Sequence, residues 1–162
     1  MNIVLHTSYT GAVETVAALL MSEQLASARA QALSIADYSF TADHSSTTPT
    51  HSTFRAHISA NALPSKLQGF FSRGMAIAIS TSLTSAQPLQ ISNVVRIEGA
   101  PVHAAVTIEL APTAAAQTTG KITAEFSVRV PFIGGKIESD MAKHAEKILT
   151  ADTHLVNSLL NS

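Results

Sequence analysis

With 162 residues, no cysteine and a net charge of −1, the chain is the length of one domain and excludes disulfides and thiolate chemistry. Near-neutral charge gives no electrostatic reason to expect nucleic acid or an anionic membrane surface as partner. Charged residues make up only 13% of the chain, against about 25% in ordinary globular proteins. The surface must then rely on Ser, Thr, Gln and Ala, which makes a homodimer an open expectation.

The opening, MNIVLHTSYTGAVE, lacks a basic segment followed by an unbroken apolar run, so no signal peptide is expected. No apolar run approaches the ~20 residues of a membrane span. The expected location is the cytoplasm, with no integral membrane segment. Asn2–Thr10 reads as a first strand with Ile3, Leu5, Thr7 and Tyr9 on one face. Gly11 breaks it. Over Ala12–Leu20 the apolar period changes to that of a helix, carried by Val13, Val16, Ala17 and Leu20. Ser22 is a candidate N-cap for a second short helix, SEQLASARAQAL.

From Leu33 to Val130 the pattern is strand after strand. Ile35–Ala42 carries Tyr38 and Phe40 in one register, and the loop HSSTTPTH follows. Thr53–Ala60 sets Phe54, Ala56 and Ile58 against Arg55, His57 and Ser59. Pro64–Phe71 reads as a short helix or turn, with Pro64 suited to the first helical position. Met75–Leu83, Leu89–Glu98, Val102–Leu110 and Lys121–Val130 each alternate apolar with polar or small residues. Pro112–Thr119 reads as a mobile Ala/Thr loop. Strict alternation with one polar face belongs to antiparallel strands solvated on one side; doubly covered parallel strands are apolar throughout. Short links favour a meander.

The last stretch, Pro131–Leu160, reads as a glycine turn and one long amphipathic helix. Ile137, Met141, Ile148, Leu155 and Leu159 recur at helical spacing. From Lys136 the helix spans roughly 36–39 Å and needs an apolar surface of matching length. Strands of about ten residues, roughly 33 Å long, supply one. The expected fold is α+β: a curved antiparallel sheet of about seven strands around a long C-terminal helix, with two short helices after strand one.

That order, together with SYTGAVETVAALL, GAPV, IELAP and VPFIGGKIE, resembles the START-like superfamily, also described as birch-pollen-allergen-like, SRPBCC or helix-grip. The resemblance covers nearly the whole chain as a single domain, 1–162, and is strongest to a bacterial family of uncharacterised proteins. The chain departs from the family in being poor in aromatics and lacking Trp. The superfamily implies a pocket for a small hydrophobic molecule (lipid, sterol, polyketide or aromatic) between sheet and terminal helix. The family implies no established activity. The implied lining is Tyr38, Phe54, Ile77, Ile79, Asn93, Val95, Val106, Ile108, Phe126, Met141, Ile148, Asp152 and Leu155. A cyclase/dehydratase-like enzyme using the same cavity, and a ligand-free interaction module, are the alternatives.

Asp152 is the sharpest oddity, since it falls within the apolar stripe. It reads either as a pocket acid that orients a ligand or moves a proton, or as a core acid satisfied by Tyr, Asn or Arg. Asn93, inward between Ile91 and Val95, reads as a contact for a ligand's polar end or as a partner of a bulged backbone. Tyr38 and Tyr9 suit a pocket mouth or ordinary core packing. His44, His51 and His57 surround one hairpin at spacings that match no standard metal set. His144 lies at the edge of the helix's apolar face. Gly134-Gly135-Lys136 lacks phosphate-loop spacing, and no G-x-S-x-G elbow occurs. No catalytic residue, metal or cofactor is expected.

Overall fold

The computed structural model describes residues 2–43, 50–63, 65–69, 71–114, 116–129 and 134–162. His44 with the expected 44–51 loop up to residue 49, Pro64, and the 131–133 part of the expected glycine turn lie outside the described residues. Alternating segments form seven strands: β1 (Asn2–Thr10), β2 (Asp37–Ala42), β3 (His51–Ile58), β4 (Met75–Ala86), β5 (Leu89–Ile97), β6 (Val102–Ala114) and β7 (Gln117–Val128). Helical segments form α1 (Val13–Leu20), α2 (Glu23–Ala32), the single turn α3 (Ser65–Gln68) and α4 (Gly134–Leu160). One sheet runs β1-β7-β6-β5-β4-β3-β2. It is a meander from β2 to β7 with β1 added outside β7, and every neighbouring pair is antiparallel.

Register aligns the inward residues into rows across the sheet. One row runs Phe40, Phe54, Ile79, Val95, Ala104, Phe126. The next runs Ser52, Thr81, Asn93, Val106, Ala124, Ile3. A third joins Leu83, Ile91, Ile108, Ile122 and Leu5. Because side chains alternate strictly along a strand, this register sends all of them to the concave face, where α4 lies.

The core gathers at one end of that face. Tyr9, Val16, Leu20, Met21, Leu25, Ile91, Ile108, Leu110, Ile122 and Val156 form a single buried cluster. The short helices α1 and α2 exist to close it. Ser22 begins α2 as expected: its Oγ accepts from the Leu25 N–H at 3.2 Å and donates to the Leu19 carbonyl at 2.7 Å, satisfying an otherwise orphaned donor of the first turn. Gly120 makes room for Tyr9, since a Cβ there would stand 2.7 Å from the ring.

Two expectations change. Pro112–Thr119 is not a loose loop: β6 and β7 run on through it, pairing Ala111 with Thr119, Pro112 with Thr118 and Ala114 with Gln117. The register shifts between Pro112 and Ala114, where proline removes a ladder donor. Thr118 is fully buried and donates its hydroxyl to the Gly11 carbonyl at 2.8 Å, while the Gly11 N–H donates to the Ala116 carbonyl at 2.8 Å. The hairpin tip is thereby tied to the corner between β1 and α1.

The second change concerns α4. Its most buried residue is Val156, at 0% exposure, whereas Ile148 of the expected stripe is 60% exposed. Val156 lies about 80° round the helix from Ile148. The contact with the core is centred on Val156, with Leu149, Leu155, Leu159 and Leu160 packed beside it, so Leu155 and Leu159 of the expected stripe meet the core and Ile148 does not. α4 makes its closest approaches to β1, β7, α1 and α2. Lying along that side of the sheet, it uses the part of its broad apolar arc that points at β1 and β7. Toward its N-terminal half the same arc is less covered, with Met141 half-buried and Ile148 exposed.

Candidate functional site

The closed core ends at the row Ser52–Thr81–Asn93. Beyond it the concave face of β2–β5 is still apolar but only half-buried: Phe40, Phe54, Ile77, Ile79, Val95 and Ile97 all keep partial exposure. Tyr38, 36% exposed, stacks on Phe54 with ring centroids 5.7 Å apart and planes inclined by 26°. On α4, Met141 and Ile148 share one flank, half-buried and exposed respectively. Asp152 fixes which way that flank points. It lies one turn beyond Ile148 on the same side of the helix, and it reaches α2. The result is an open apolar concavity on the inward face of β2–β5.

Asp152 is held in an ion pair. Both carboxylate oxygens accept from Arg29, at 2.6 Å from Nε and 2.7 Å from Nη2. This bidentate pair joins α2 to α4 while remaining partly open to solvent. Arg29 carries no periodic signal of its own in the sequence, so only the unusual position of Asp152 hinted at such a partner. Close to the pair, Tyr9 is buried, and burial, with Asp152 adding to it, pushes its phenol up to about 12. Opposing contributions from Thr153 and Arg29 are smaller. Tyr9 belongs to the closed core and not to the concavity.

Asn93 has both ends of its amide engaged. Its Oδ1 accepts from the Thr81 hydroxyl at 2.7 Å, and its Nδ2 donates to the Val106 carbonyl at 3.3 Å. The remaining lining residues divide. Tyr38, Phe54, Ile77, Ile79, Val95 and Phe126 share the open half of the face, Phe126 already buried there. Val106, Ile108 and Leu155 belong to or pack against the closed core. Ser52, which falls one residue outside the strand expected from the sequence, completes the polar row; extending the alternation back from Phe54 by two positions finds it.

Two depressions, of about 420 and 240 Å³, lie elsewhere. The first is lined chiefly by outward residues such as His6, Ser8, Glu109 and Lys121, the second by Asp37, Arg55, His57 and Glu98. Outward residues dominate both linings, although Tyr38 and Ile77 also border the second, and no described residue of α4 lines either. Among the described residues no three potential metal ligands come together, and no helix is long and apolar enough to cross a membrane.

A model of the protein family described as "protein of unknown function (DUF2505)" matches residues 5–160. The chain belongs to this family. No curated protein matches it. Among solved structures, this DUF2505 chain is similar to a START superfamily protein from Mycobacterium smegmatis, at TM-score 0.63 and 12% identity over 98% of each chain. It is also similar to the Zhui aromatase/cyclase from Streptomyces sp. R1128, at TM-score 0.64 and 12% identity over 98% of this chain and 92% of that one. A third is norcoclaurine synthase from Thalictrum flavum in complex with dopamine and hydroxybenzaldehyde, at TM-score 0.61 and 14% identity over 99% and 87%. At such identities the likeness establishes the fold alone: this DUF2505 chain has the START-like helix-grip architecture.

Proposed function

We propose that this DUF2505 protein binds a small, largely apolar molecule against the concave face of β2–β5, beneath the Met141–Ile148 flank of α4. One observation carries the reading. The same inward apolar pattern runs the full length of the sheet, yet the core closes over only one end of it. A half-exposed apolar concavity gains about 25 cal/mol for each Å² a guest removes from water, before binding costs. Similarity to a synthase crystallised with two small aromatic molecules supports the same reading.

An enzyme using Asp152 as acid or base fits less well, because Arg29 occupies both carboxylate oxygens. Native mass spectrometry of the purified protein tests the proposal. A co-purifying small hydrophobic molecule, or a melting temperature raised by members of a lipid and aromatic library, is expected. A protein that is always empty and never shifted overturns it.

A further inference from the structure

Ser52 stands on β3 at the boundary between the closed core and the open concavity. Its side chain is only 4% exposed, and register places it beside Thr81 on the concave face. Thr81 spends its proton on Asn93, and Asn93 spends its amide on Thr81 and Val106. The Ser52 hydroxyl has no hydrogen-bond partner among the described residues. Yet no fully buried side-chain oxygen or nitrogen among them is left unpaired. The Ser52 oxygen therefore keeps a trace of exposure, from a side chain otherwise enclosed, and register puts that side chain on the concave face. A hydroxyl in that position offers one donor and two acceptor sites.

Charge narrows what it can meet. Every inward position on the seven strands is uncharged, from Ile3 on β1 to Val128 on β7. A carboxylate or ammonium carried into this concavity loses its water and finds no counter-ion on the sheet, and Arg29 and Asp152 on α2 and α4 already neutralise each other, so its burial is costly. A hydroxyl or carbonyl loses far less and can be repaid by one neutral hydrogen bond. Spacing adds a length. Ser52 lies two residues along β3 from Phe54, about 7 Å, so the polar group must sit that far from the centre of an apolar body resting on Phe54, Ile79 and Val95.

We infer that Ser52 is a specificity residue. It selects uncharged apolar guests that carry a hydroxyl or carbonyl about one ring-width from their centre, and the sheet around it rejects the matching carboxylates. This rests on the proposed ligand-binding reading.

Fluorescence titration with naphthalene, 2-naphthol and 2-naphthoate at neutral pH, on the wild-type chain and on Ser52→Ala, tests it. 2-Naphthol should bind about fivefold tighter than naphthalene, and 2-naphthoate at least about tenfold weaker than 2-naphthol. In Ser52→Ala the naphthol advantage should vanish while naphthalene affinity stays unchanged. Naphthol and naphthalene binding alike, naphthoate binding as well as naphthol, or an advantage that survives in Ser52→Ala each overturns the Ser52 role and leaves the cleft standing. Failure of all three probes to bind overturns both. Should Ser52→Ala not fold, the ranking of the three probes on the wild-type chain still decides.

Discussion

Tyr9 is one of two tyrosines in the chain and is 2% exposed, between β1, α1 and the C-terminal half of α4. Burial, helped by Asp152, raises its phenol to about 12. In a Tyr38→Phe background, absorbance of the tyrosinate should then rise with a midpoint near that value, and a midpoint near 10 would contradict the burial of Tyr9. The sign for stability follows. A folded-state value above the unfolded one favours the native protein below pH about 10 and loses that advantage as pH climbs toward 12. Stability should therefore fall across that window, and Tyr9→Phe should flatten the fall. Asp152 presents a different case. Its pair with Arg29 is partly solvated, so a double-mutant cycle with Arg29→Ala and Asp152→Asn should give a coupling of about 1 kcal/mol, diminishing in salt. A coupling indistinguishable from zero in urea melts would remove Arg29 and Asp152 as the clamp between α2 and α4.

At the scale of elements, α4 does two jobs with two faces. Val156 is sealed against the core while Ile148 is open. Val156→Ala should cost about 2 kcal/mol, and Ile148→Ala no more than about 0.5 kcal/mol, both read from denaturant midpoints. The reverse ranking would mean that the stripe read from the sequence is the buried one after all. Next to Val156, Asn157 acts on the free edge of β1: its Oδ1 accepts from the Thr10 N–H at 3.0 Å and its Nδ2 donates to the Ser8 carbonyl at 2.9 Å. That side-chain amide imitates a neighbouring strand and leaves the edge less open to pairing with another chain. Asn157→Ala should speed amide exchange at Thr10 about fivefold or more; unchanged exchange would show that the edge needs no such cover.

The sequence was a better guide to the sheet than to the helix that completes it. Alternation is a local signal, so Phe54, Ile79, Val95 and Phe126 could be assigned to one face before any coordinates. The strand pairing within Pro112–Thr119 is not legible because Ala and Thr look like a featureless loop, although Thr118 is fixed there by a bond to Gly11, 107 residues away. The exposure of Ile148 is not legible in the sequence, and Arg is only one of the three partner types that the position of Asp152 suggests. A broad apolar arc does not say which part of it meets the sheet, and the ion pair spans 123 residues. Asn93 reads either as a ligand contact or as a partner of backbone, and only the neighbouring strands decide for Thr81 and the Val106 carbonyl; its unpaired neighbour Ser52 lies just beyond the expected strand end.

Across the whole molecule, one sheet serves a sealed end, where α1, α2 and Val156 complete the core, and an open end, where nothing in the described residues completes it to the same degree. Methyl-resolved NMR with naphthalene as probe reads that division directly. Methyl resonances of Ile77, Ile79 and Val95 should shift on titration, while those of Ile91 in the sealed core and Val4 on the convex face stay still. Shifts confined to Val4 and its outward neighbours, or none at any methyl up to the solubility of the probe, would contradict a guest site on the concave face.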